Sequence, residues 1–184
     1  AWWDGYGRIT GLRGDGEVLE LMSEVRIALP GWSSFVSQAP WHVSTIRSSA
    51  AQGRREWQGR IKVTGDRYCR FRQSLQPSNA VTWITVEVTA ETNLDLEGVF
   101  LFLTVPTPIM SGGICELASN GTAVAAAALP ASTPDSQNPR FLDSVADHLT
   151  WIDPSGGLRL ELDFDRVRQL TVQDGRAWNS PTYS

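Results

Sequence analysis

Strict alternation of side-chain character between residues 54 and 91 constrains this chain more than any other feature. Residues 67–76 place Cys69, Phe71, Gln73 and Leu75 on one side and Tyr68, Arg70, Arg72 and Ser74 on the other. Residues 81–91 set Thr82, Ile84, Val86, Val88 and Ala90 against Val81, Trp83, Thr85, Glu87 and Thr89. A period of two over runs this long specifies strands with one buried face. Pro77-Ser78-Asn79-Ala80 between them is turn chemistry: proline pre-sets φ and asparagine tolerates positive φ. With Ser78-Asn79 as a two-residue loop, Leu75 faces Thr82, Gln73 faces Ile84, Phe71 faces Val86 and Cys69 faces Val88, so the apolar sets share a side. Residues 56–63 precede them through Thr64-Gly65-Asp66, which predicts that Ile61 faces Cys69 and Trp57 faces Gln73.

The other face of this three-stranded sheet is the candidate site. Glu56, Gln58, Arg60 and Lys62 lie on its first strand, Tyr68, Arg70, Arg72 and Ser74 on its second, and Trp83, Thr85, Glu87 and Thr89 on its third. Two readings compete. In one the face is solvated and its charges pair across strands, Arg70 with Glu87 for instance. In the other it binds a ligand through Trp83, Tyr68, Arg70, Arg72, Arg60, Gln58 and Glu87. Sugars favour the second reading: their C–H faces stack on indole, while their hydroxyls need paired polar groups. Arg also grips a carboxylate with two parallel hydrogen bonds, so an acidic sugar suits the site best.

Turn signals at short intervals run through the rest of the chain. Asp15-Gly16 separates the strand-like residues 8–12 and 17–29, and a turn explains the enclosed Arg13-Gly14-Asp15 better than adhesion does. Residues 41–46 read as a short strand and 48–53 as a loop; residues 99–105, apolar on both faces, suit a strand buried between two layers. Asn120-Gly121 marks a hairpin, and the Ala-rich residues 123–129 read as a strand, too short for a stable helix before Pro130. In residues 158–165, Leu158, Leu160, Leu162 and Phe164 point in and Arg159, Glu161, Asp163 and Asp165 point out; residues 167–172 form a further strand. The expected fold is all-β: an antiparallel β-sandwich, jelly-roll or supersandwich-like, of roughly ten to twelve strands. One domain over residues 1–184 is expected, and the opening on Ala1 instead of Met sets the expectation of a piece of a longer chain.

Net charge is −4, which argues against nucleic acid as a partner, and no apolar run approaches the roughly 18 residues that span a bilayer. Charge is nevertheless uneven. Arg54, Arg55, Arg60, Lys62, Arg67, Arg70 and Arg72 crowd one stretch against only Glu56 and Asp66, a local field that steers anions. Cys69 and Cys115 lack metal spacing; Cys69 falls on the core side of its strand, where a free thiol acts as a small hydrophobe, and a single disulfide between the two is the lesser alternative.

Catalytic signals are sparse. Glu87 and Glu91 share a face but sit about 13 Å apart along an extended strand, too far for either glycosidase geometry. Glu161, Asp163 and Asp165 are the only candidates for Ca²⁺, and they read more simply as the wet side of a strand, so no cofactor is expected. His42 and His148 match neither a metal spacing nor a nucleophile elbow.

The succession Val86-Glu87-Val88-Thr89-Ala90-Glu91, then 96–106 with its Gly98-Val99-Phe100-Leu101-Phe102-Leu103 core, then Ser111-Gly112-Gly113, resembles β-sandwich domains of secreted bacterial polysaccharide-degrading enzymes, galactose-mutarotase-like supersandwiches among them. That resemblance implies a non-catalytic, carbohydrate-binding accessory module, secreted or periplasmic, beside a neighbouring catalytic domain, with a poly- or oligosaccharide as partner. Two alternatives stay open: a small jelly-roll polysaccharide lyase or glycoside hydrolase, and a structural or protein-interaction sandwich. The lyase alternative expects a His among Arg70, Arg72, Gln58 and Tyr68, and none lies on these strands.

Overall fold

The structure, a computed structural model, describes residues 1–14, 17–78, 81–134 and 138–184. The fold is all-β and sandwich-like, built from four antiparallel sheets where a simple sandwich has two. Among the described residues there are 15 strands, more than expected because several are two or three residues long. The chain divides into two compact units, Ala1–Leu103 and Thr104–Ser184.

The first unit opens with β1 (Trp2–Trp3), β2 (Ile9–Gly14) and β3 (Glu17–Glu20), a small sheet in order β1-β2-β3. The Asp-Gly turn expected between β2 and β3 falls at 15–16, outside the described residues. β4 (Met22–Ala28) pairs with β5 (Phe35–Ser37). A four-stranded meander follows: β6 (Val43–Ala51), β7 (Arg54–Thr64), β8 (Arg67–Ser78) and β9 (Val81–Ala90).

The β7–β8 register is as the alternation predicts, with Ile61 opposite Cys69 and Trp57 opposite Gln73. Gly65, at φ +50, supplies the left-handed residue its turn needs. Trp57, Ile61, Cys69, Phe71 and Leu75 are all buried on the inner face. Phe71 packs against Gly59, where an added Cβ would sit 2.5 Å from the ring, so only glycine permits this contact.

Three expectations for this unit need correction. β9 pairs two residues further along than the Ser78-Asn79 loop requires: Ser78 meets Val81, Leu75 meets Ile84, Phe71 meets Val88 and Cys69 meets Ala90. The connection thus falls at 79–80, outside the described residues. A two-residue slip leaves every side chain on its own face, which is why alternation cannot detect it. Residues 48–51, expected as loop, belong to β6, which turns into β7 at Gln52-Gly53 with φ of +50 and +76, the conformation of a tight hairpin. The third correction is β10 (Gly98–Pro106), expected to be buried between layers. Val99, Phe100 and Leu101 are exposed, Leu101 by 49%, and Phe100 packs on Trp32 with ring centroids 5.7 Å apart. An apolar run has affinity for cover, but it does not guarantee that cover is present.

In the second unit a four-residue helix, α1 (Thr107–Met110), leads to β11 (Ile114–Ser119), β12 (Thr122–Ala128), β13 (Arg140–Ile152) and β14 (Arg159–Gln173), in sheet order β12-β11-β13-β14. The Asn120-Gly121 turn and the Ala-rich strand form as expected. β14 runs through both segments read as separate strands; Leu160 is buried, Leu162 and Phe164 are half-buried, and Arg159, Glu161, Asp163 and Asp165 are exposed. The terminal β15 (Thr182–Tyr183) pairs with the end of β10, Tyr183 opposite Val105. Cys69 and Cys115 are buried free thiols, not a disulfide.

Candidate functional site

The even-numbered side chains of β7 and β8 and the odd-numbered ones of β9 share the outer face of the meander. Cross-strand pairing sets them in rows. Arg47, Gln58, Arg72 and Glu87 line up across all four strands, as do Thr45, Arg60, Arg70 and Thr89 in the next row. Trp83 stands opposite Gln76 at one end of the face, and Tyr68 opposite Lys62 at the other. Eight residues of β8 separate those ends, about 26 Å at strand rise. The seven expected residues therefore do share one surface, but it is long, and Trp83 is remote from Tyr68.

Two carboxylates organise the arginines. Glu91 accepts from Arg60 Nη2 at 2.6 Å and from Arg60 Nε at 3.1 Å, and its other oxygen lies 3.4 Å from Arg70 Nη2. The same Arg60 guanidinium lies 4.0 Å over the Tyr68 ring. Glu56 accepts from Arg72 Nη2 at 2.8 Å and from Gln58 Nε2 at 2.7 Å, with Arg54 at 3.6 Å. The expected Arg70–Glu87 pair does not form: Arg70 turns to Glu91, and it is Arg72 that faces Glu87. Hydrogen bonds from Arg60 hold the Glu91 carboxyl below the usual range, and those from Arg72 do the same for Glu56.

These pairings define what the face can do chemically. A glycosidase needs one carboxylic acid that stays protonated, within about 5–9.5 Å of the other. Glu56 and Glu91 are both held ionised, and they pair with β8 at Ser74 and Tyr68, six residues or about 20 Å apart. At that spacing Glu56 and Glu91 do not form a glycosidase pair. The face can order planar cations and present them to solvent. Counting Arg47, Arg54, Arg60, Lys62, Arg70 and Arg72 against Glu56, Glu87 and Glu91, the surface keeps an excess of three positive charges. Trp83 is 64% exposed, with its indole turned to water.

Sequence reasoning missed Arg47 because the strand read over 41–46 stopped short of it and residues 48–53 read as loop. Glu91 was weighed only as a catalytic carboxylate, whereas here it clamps two arginines. Elsewhere, His42 Nδ1 accepts from the Ser37 amide at 3.1 Å, and His148 is bound by Asp163 at 2.6 Å and Thr150 at 2.9 Å. The acids weighed for Ca²⁺ each have their own partner: Glu161 pairs with Arg159, Asp163 with His148 and Asp165 with Arg168. Among the described residues no cluster of three or more His, Cys, Asp or Glu side chains is placed to hold a metal ion. No family model, curated protein or solved structure matches this chain.

Proposed function

We propose that this chain is a carbohydrate-binding β-module, and that the outer face of the β6–β9 meander takes an extended, acidic oligosaccharide. The observation that carries the reading is one continuous surface on which an exposed indole and arginines held in fixed orientations coexist with a net positive charge. Trp83 would stack on the apolar side of one sugar ring, while Arg70 and Arg72, at the open ends of their clusters, would receive carboxylates or sulfates further along. A length of about 26 Å favours a chain over a single sugar. Service as an accessory module to a secreted polysaccharide-active enzyme is the biological setting this reading suggests.

Fluorescence and calorimetric titration with neutral and uronate oligosaccharides tests it. Trp83→Ala should weaken binding by about 1–3 kcal/mol with little change in unfolding midpoint, because an exposed anchor holds the ligand and not the fold. Arg72→Ala should weaken acidic oligosaccharides only, and the loss should shrink as salt is raised. If both variants titrate like the parent chain, the charges on this face serve only one another and the proposal is wrong. Release of unsaturated or shortened products would instead place the chain among the enzymes.

A further inference from the structure

The inner face of the same meander carries a second feature, independent of anything bound outside. At the β6–β7 hairpin the inner face is roofed by the N-terminal segment, and two adjoining hollows of about 320 and 500 Å³ open there. They share Trp3, Ala50 and Arg55. The larger is completed by Ser48, Ser49, Asp4 and Trp57. Both volumes fall in the range of small-ligand sites, roughly 300–1,000 Å³.

The roof is held in place from below. Gln38 and Gln73 are fully buried, and Gln38 Nε2 donates to Gln73 Oε1 at 3.0 Å. Each also donates to the N-terminal backbone: Gln38 to the Tyr6 carbonyl at 2.5 Å, and Gln73 to the Gly7 carbonyl at 2.7 Å. Gly7, at φ +85, lets that backbone descend onto Trp57, since a Cβ there would come within 2.8 Å of the indole. Trp3 therefore meets Trp57 edge-on, with centroids 6.0 Å apart, and forms one wall.

Arg55 forms the lip beside Trp3. Its guanidinium lies 4.8 Å over the Trp3 ring, and among the described residues it has no carboxylate partner. A guanidinium over an aromatic ring can still offer N–H groups to a bidentate acceptor. Asp4, the acid nearest by, is committed to Arg8 at 2.7 Å and to the amides of Tyr6 and Arg8. Ser48, paired with Trp57 on the inner side of the neighbouring strand, adds a hydroxyl. An oriented cation, an indole wall and a hydroxyl in a pre-formed hollow suit a hydroxylated ring that bears a carboxylate.

We propose that this groove binds a single sugar acid, a uronate, with Arg55 on its carboxylate, Trp3 against its ring and Ser48 on one of its hydroxyls. Sodium glucuronate and glucose, titrated separately and followed by the indole N–H resonances of Trp3 and Trp57, test the assignment. Glucuronate should shift both resonances and glucose neither. Arg55→Gln changes an exposed residue and should weaken glucuronate by about tenfold or more while the spectrum stays folded. Ala50→Phe, which fills the floor both hollows share, should abolish the shifts. Unmoved Trp3 and Trp57 signals in the parent chain, or unaltered affinity in either variant, overturn the proposal whatever a polymer does on the outer face.

Discussion

Replacing Gln73 by leucine tests the part of the architecture that everything on the inner face depends on. Gln73 is a polar side chain at an inward position of β8, 1% exposed, and it joins β8 to a segment 66 residues away in sequence. Leucine keeps most of the volume and the inward direction, so packing changes little. What changes is hydrogen bonding: the Gly7 carbonyl loses its donor, and one N–H of the Gln38 amide loses its acceptor, while the other still reaches Tyr6. Each buried polar group left unpaired costs about 1–3 kcal/mol, so Gln73→Leu should destabilise by about 2–5 kcal/mol. Urea unfolding monitored by tryptophan fluorescence measures this, and an unchanged slope keeps the comparison valid. Gln38→Leu and the double variant complete a cycle, in which the double should cost clearly less than the sum because both singles break the same contact. A loss below about 0.5 kcal/mol for Gln73→Leu, the size of an ordinary surface change, refutes the view that the glutamine pair anchors the N-terminal segment.

Further outcomes are expected elsewhere. Leu160→Ala in β14 removes a buried side chain and should cost about 2–5 kcal/mol, whereas Arg159→Ala, one residue away and exposed, should be nearly neutral; the opposite order in chemical unfolding would mean the strand faces the other way. Glu56 and Glu91 have folded pKa values below the ordinary 4.5, so their contribution is complete above that pH and is lost as pH falls through the lowered values. Stability should therefore show a modest, salt-sensitive acid limb below about pH 4.5 that Glu91→Gln flattens, and an identical limb in that variant would contradict the clamp. Burial pushes the Cys115 thiol up to about 12, so at pH 8 it should resist a thiol reagent until the chain unfolds, when both cysteines react.

Much of the meander was legible because period-two alternation encodes which face a residue takes. Trp57, Cys69 and Phe71 are inside and Gln58, Arg72 and Glu87 outside, as the pattern requires. The same periodicity hid the β8–β9 offset, since pairing Phe71 with Val88 instead of Val86 keeps both inside. β6 was half-missed because Ser48, Ser49, Ala50 and Ala51 are small and carry little apolar contrast, and their strand state comes from pairing with 54–57. The error at Leu101 has another origin: side-chain chemistry states a preference for burial, but only packing decides whether a neighbour arrives.

The sequence by itself determined that the chain is all-β, which side of each strong strand faces inward, and that cations crowd one sheet. Tertiary structure alone decided that Arg60 and Arg70 converge on Glu91, that Gln38 meets Gln73, and that Trp3 and Arg55 come to border one hollow. The physical reason is range. Strand state and face follow from neighbours one and two positions apart, while each of those contacts joins residues 21 to 52 positions apart, whose meeting depends on register and on how segments pack.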